Sequence, residues 1–182
     1  MSATSDPLIP ATAATELVAE LRSQKLTVAT CESLTAGLLS ATIAGVPGAS
    51  AVLRGGIITY ATEMKHQLAD VSVQLLHDYG PVSRQCAAAM ADGARQRCDA
   101  DFGVSLTGVA GPTEQDGHPV GEVWCGLSRA EGTVVKRLQL SPESGRWGIR
   151  SEAVTRAIEL LLEEVFRVGN KTHGPVVSDS DE

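Results

Sequence analysis

Of the fifteen cationic residues in this chain only four are lysines, Lys25, Lys65, Lys136 and Lys171, and Lys65 alone follows a predicted strand end beside a turn. A lysine so placed has two readings. As an ordinary helix residue it faces water. Partly buried, it loses proton affinity, because leaving water favours the neutral amine, and it then takes the proton of a neighbouring hydroxyl as in Ser–Lys hydrolysis. The hydroxyls near it in sequence are Ser50, in a Gly-rich turn, and Thr59, Tyr60 and Thr62. Spacing does not choose among them: Ser50 serves equally as a turn cap, and Tyr60 as a core residue with its hydroxyl at the rim.

Three further segments carry polar chemistry. Glu32-Ser-Leu-Thr-Ala-Gly37 opens a helix after a strand, so its backbone N–H groups can meet an anion, although Ser33 or Thr35 can simply cap that helix. Arg146 and Arg150 lie one helical turn apart and form either a clamp for a phosphate or surface ion pairs. Thr107-Gly-Val-Ala-Gly-Pro112 places a hydroxyl and, from Gly108 onward, open backbone at a strand end, suited to binding a ligand or polarising a carbonyl. The familiar phosphate-loop, dinucleotide, nucleophile-elbow and S-x-x-K motifs are missing. Cys31, Cys86, Cys98 and Cys125 show no C-x-x-C spacing, and the four histidines never fall at i, i+4 on one helix, so reduced buried thiols and no metal are expected.

The elements that must position these groups follow from periodicity. Leu17, Val18 and Leu21 share a helix face after Thr12 or Thr15, and Leu26 to Cys31 reads as a short buried strand. A helix over Leu38–Ile43 ends at the turn formers Gly45 to Ser50. A strand over Ala51–Tyr60 contains Gly55-Gly56, the mark of a bulge or a close backbone approach. Helical spacing returns over Glu63–Leu68 and Ser83–Arg97, and Val104–Thr107 is a strand. The segments Val120–Ser128 and Val134–Leu140 read as a hairpin, and a last helix runs from about Gly145 to Phe166. Helices alternating with early strands before a late hairpin predict a three-layer α/β/α domain on a mixed, mostly parallel sheet over residues 12–168, with flexible termini at 1–11 and 169–182. On such sheets ligands sit beyond strand ends, here after Cys31, around Ser50, after Tyr60 and after Thr107.

Composition bounds the partners. A chain of 182 residues with 43% hydrophobic residues supports one core, and a net charge of -7 with 3% aromatics disfavours nucleic acid. No apolar run approaches a membrane span, and no basic-then-apolar leader precedes Arg22, so a cytoplasmic protein with no membrane contact is expected.

Taken in order, Cys31-Glu-Ser-Leu-Thr-Ala-Gly37, Val46-Pro-Gly-Ala-Ser50, Gly56-Ile-Ile-Thr-Tyr60 with Lys65, Gly80-Pro-Val-Ser83, Thr107-Gly-Val-Ala-Gly-Pro112 and Pro119-Val-Gly121 resemble the CinA C-terminal domain family over about residues 15–166. The resemblance implies a nicotinamide-nucleotide amidohydrolase that converts nicotinamide mononucleotide and water to nicotinate mononucleotide and ammonia, without cofactor or metal, in a homo-oligomer. It carries a Ser–Lys dyad onto Ser50 as nucleophile and Lys65 as base, with Tyr60 as orienting hydroxyl, and Ser33, Thr107, Gly108 and Arg146 as substrate-binding residues, the arginine suited to the phosphate. A nucleotide-binding or regulatory module of the same fold is the alternative. The chain departs from the family pattern at Ala36, where a glycine is usual, at Cys31, in the 113–118 loop and at Ser144-Gly145-Arg146.

Overall fold

The computed structural model describes residues 13–172. Five strands form one sheet in the order β2-β1-β3-β4-β5, namely β1 (Val28–Glu32), β2 (Leu53–Ile58), β3 (Phe102–Gly108), β4 (Glu122–Arg129) and β5 (Gly132–Gln139). β1 runs parallel to both β2 and β3, whereas β4 is antiparallel to β3 and to β5. Four of the five strands therefore share one direction, and the late hairpin is β4–β5.

Six helices cover the two faces: α1 (Ala13–Ser23), α2 (Leu38–Ala44), α3 (Thr62–Ala69), α4 (Val73–Tyr79), α5 (Arg84–Arg97) and α6 (Gly145–Thr172). Side chains alternate across β1 as a strand requires. Val28 joins the core shared with Leu17, Leu21, Ile43, Ile149 and Leu161, while Ala29 and Cys31 face Cys86, Met90 and Ala94 of α5 on the other side. This is the predicted three-layer arrangement. Each fully buried Leu or Ile contributes about 1.5–3 kcal/mol.

Differences from the sequence reading have local causes. α4 escaped prediction because none of its seven residues is buried and only the Ser72 cap marks its start. α6 continues to Thr172, past the boundary expected at 168. The segments 1–11 and 173–182 lie outside the described residues. No helix among the described residues is long and apolar enough to cross a membrane.

The Gly55-Gly56 pair does both things expected of it. The β1–β2 register shifts between Val28 and Ala29, so Arg54 is an extra residue. A Cβ on Gly56 would lie 2.3 Å from Ser40 Oγ and 2.7 Å from Thr30 Oγ1, so glycine alone lets α2 settle against the strand there.

Candidate active site

Ser33 is the first residue beyond β1, and its backbone N–H donates to Leu106 O of β3 at 2.9 Å. Lys65 lies in the first turns of α3, which begins after a three-residue link from the end of β2. The carboxyl ends of neighbouring parallel strands thus bring the two side chains together, and Lys65 Nζ donates to Ser33 Oγ at 3.0 Å. The same nitrogen donates to Thr59 O at 2.9 Å.

Lys65 is only 2% exposed. Loss of water pushes its pKa below the ordinary lysine value, the two cysteines beside it and Glu63 pulling weakly the other way. Those cysteines offer little compensation. Burial pushes the Cys31 thiol up to about 11 and the Cys86 thiol up to about 12, so both are neutral at physiological pH. A neutral amine has two N–H bonds and one lone pair. Once the amine is neutral, with one N–H held by Thr59 O, its lone pair can accept the Ser33 proton.

The turn after Ser33 is built around the side chain before it. Glu32 is fully buried, and its carboxylate accepts from the N–H groups of Gly37 and Leu39 at 3.0 Å and from Ser40 N and Oγ at 2.8 Å. The helix N-terminus expected to meet an anion therefore already holds one from its own chain. Sequence reasoning missed this role. A glutamate closing a buried strand immediately before an N-terminal turn was the available signal.

Ala36 has φ +52° and Gly37 φ +95°, so the turn needs two successive left-handed residues. Alanine is strained there by about 1–2 kcal/mol, partly offset by its smaller loss of backbone freedom. Ala36→Gly is expected to stabilise the fold by about 0.5–1 kcal/mol, a rise in Tm of about 1–4 °C by calorimetry.

A cavity of about 250 Å³ opens over the pair, lined by Ser33, Lys65, Tyr60, Thr107, Gly108 and Arg146 among others. Thr107 Oγ1 donates to Pro81 O at 2.7 Å, which leaves its oxygen lone pairs available as acceptors. Arg146, at the exposed mouth, donates to Tyr60 Oη and to Gly111 O, each at 2.7 Å. Tyr60 is 56% exposed and belongs to the rim with Arg146. Its observed partner is thus the arginine, in the cavity that Ser33 and Lys65 also line. The 113–118 loop contributes Thr113, Glu114 and Gln115 to the lining and is closed by paired backbone bonds between Gln115 and His118.

Two expectations are corrected by position. Ser50 sits in a short 3-10 turn, Ala49–Ala51, that precedes β2, and it is exposed. Six strand residues separate that end of β2 from the end that leads to Lys65, about 20 Å at about 3.3 Å each. Ser50 is therefore at the opposite edge of the sheet from the cavity, and the serine that meets Lys65 is Ser33. Arg150 likewise stays out of the cavity. Its Nε donates to Leu34 O at 2.9 Å and its Nη2 to Thr35 O at 3.0 Å, so the two arginines of α6 do not form a common phosphate clamp.

Fold and site together define a three-layer α/β protein with a buried Ser–Lys pair at the carboxyl ends of its parallel strands. The chain belongs to the CinA family, whose C-terminal domain model matches residues 10–165. A Streptococcus pneumoniae protein named for competence-damage induction is 44% identical over 150 residues, which cover 82% of this chain and 36% of that protein. The chain thus spans about a third of the length of the curated relatives it matches. Among solved structures, the competence/damage inducible protein CihA of Agrobacterium tumefaciens superposes with a TM-score of 0.79 at 33% identity, covering 83% of this chain and 92% of that one. A CinA superfamily protein of Escherichia coli gives 0.80 at 29% identity, with 84% and 88% covered.

Proposed function

We propose that this chain is an amidohydrolase acting through Ser33 and Lys65, with nicotinamide mononucleotide as its substrate. The observation that carries the reading is the 3.0 Å contact between a serine hydroxyl and a buried lysine amine at the floor of a cavity. Ser33 Oγ attacks the carboxamide carbon while Lys65 takes its proton. The C–N bond then breaks as Lys65 returns that proton to the departing nitrogen, which leaves as ammonia. Water adds to the acyl-serine, giving a proton to Lys65, and the carboxylate leaves as Ser33 recovers its hydrogen.

The nucleotide assignment rests on family resemblance and on the mouth of the cavity. Arg146 spends two donors on Tyr60 and Gly111, and a guanidinium has five, so three remain for a phosphate. Arg146→Ala is expected to raise KM for nicotinamide mononucleotide about tenfold to hundredfold, matching about 1.5–3 kcal/mol for hydrogen bonds to a charged group. Values for the riboside, which lacks phosphate, should stay within about twofold.

The direct test is ammonia release by purified protein from the mononucleotide, with riboside and dinucleotide in parallel. Turnover of the mononucleotide supports the reading. Tight binding of it without ammonia release favours a nucleotide-binding module instead.

A further inference from the structure

The half-buried guanidinium of Arg150 is attached to the turn that follows Ser33, and the nucleotide site makes no use of it. Its two hydrogen bonds take the carbonyls of Leu34 and Thr35. The ring of the exposed Trp147, one turn earlier on α6, lies 5.6 Å from the guanidinium carbon, within cation–π range. Inside the turn Ala36 N–H donates to Ser33 O and Leu38 N–H to Thr35 O, but the Thr35 hydroxyl is fully buried and makes no hydrogen bond among the described residues, and the turn is also held from outside. External anchors are therefore Glu32 on the α2 side, Leu106 O on Ser33 N, and Arg150 from α6.

Peptide planarity makes those anchors directional. In a trans peptide the C=O and the following N–H point opposite ways. Ser33 O accepts from Ala36 N inside the turn at 3.1 Å, which turns Leu34 N–H outward from it, and no backbone acceptor among the described residues takes that N–H. Leu34 lines the cavity beside Ser33. The N–H just after a nucleophile is a natural donor to the oxyanion of acyl transfer, where the charge forms about 3 Å from both.

We propose that Arg150 is a positioning residue for acyl transfer: by clamping the Leu34 and Thr35 carbonyls it holds the turn so that Leu34 N–H faces the developing oxyanion at Ser33. The proposal rests on Ser33 being the nucleophile. It does not depend on which amide is the substrate. Loss of one oxyanion donor lowers kcat by about 10²–10³, and a misplacement of about 1 Å costs about 10².

The test pairs steady-state kinetics with labelling of Ser33 by a fluorophosphonate, whose phosphonyl oxygen needs the same stabilisation whatever the natural substrate. Arg150→Ala is expected to lower kcat and the labelling rate about 100-fold each, with KM within about threefold and the acid limb of the pH–rate profile unmoved, because Arg150 does not touch Lys65. A merely loosened site would raise KM and shift that limb. Arg150→Lys, which keeps the charge but reaches one carbonyl, should fall between, and it carries the test if the alanine variant does not fold. Arg156→Ala, which removes only the exposed pair with Glu159, should match the parent. Labelling of Arg150→Ala or Arg150→Lys at the parent rate overturns the proposal. A parent protein unlabelled at Ser33 overturns the nucleophile reading itself, and the role of Arg150 falls with it.

Discussion

Ser33→Ala is expected to lower ammonia release by about 10⁴-fold or more, about 5.5 kcal/mol of transition-state stabilisation, while Ser50→Ala stays within about twofold. The contrast follows from geometry. Ser33 Oγ is the hydroxyl that Lys65 Nζ touches, and without it no acyl-enzyme can form. Ser50 is exposed in the turn that leads into β2, with the length of that strand between it and the cavity. Removing the Ser33 hydroxyl leaves Thr59 O on Lys65 and the Leu106 bond on the Ser33 backbone, so the fold should change by no more than about 1 kcal/mol. Binding of the nucleotide, measured by titration calorimetry, should remain within about threefold in both variants. An active Ser33→Ala enzyme would remove the dyad from the mechanism, and a comparable loss in Ser50→Ala would require that turn to act on the site.

How far the sequence could reach depends on what kind of information each residue carried. The layers were legible because periodicity is local: Leu17, Val18 and Leu21 could only share a helix face, and the Gly55-Gly56 pair marked a bulge or a close backbone approach, of which the structure has both. The segments after Cys31, Tyr60 and Thr107 were legible as neighbours because the carboxyl ends of strands converge in this architecture, whereas Arg146, at the start of α6, entered the pocket through the family resemblance. The choice between serines was not. Ser50 is nearer to Lys65 along the chain and sits among glycines, whereas Ser33 is thirty-two residues away and reaches the amine only through the β1–β2 pairing. Sequence distance misleads wherever a parallel strand intervenes, since each crossing carries the chain from one edge of the sheet to the other. Arg150 was misread for a related reason. One helical turn from Arg146 implied a shared target, but a half-buried guanidinium finds backbone carbonyls, and which ones is a matter of how α6 packs over the 33–37 turn.

Lys65→Met should cost about 10³–10⁴-fold in rate, and it offers a second, independent measurement of the same residue. The parent rate should rise with pH as the amine loses its proton and level off above a pKa lower than the ordinary 10.5, since burial lowers it. The stability consequence has a definite sign. Between the lowered folded pKa and the unfolded value near 10.5, the unfolded chain binds a proton that the folded one does not, so stability rises with pH; the contribution is complete above the unfolded value and is lost as pH falls through that window. A methionine of similar length fills the space and has no proton to exchange. Urea unfolding measured from about pH 7 to about pH 10 should therefore show the parent gaining on Lys65→Met within that window by up to about 1.4 kcal/mol per pH unit, the limit for one proton. The buried thiols titrate in both proteins and largely cancel in the difference. Lys65→Arg supplies the counterpart, since a guanidinium cannot shed its charge on burial; it should be inactive and less stable than either. Parallel stability curves for the parent and Lys65→Met would mean that the folded protein keeps the lysine protonated through neutral pH. A cation at that position could still hold Ser33 in place, but it could not take the hydroxyl proton on which amide cleavage depends.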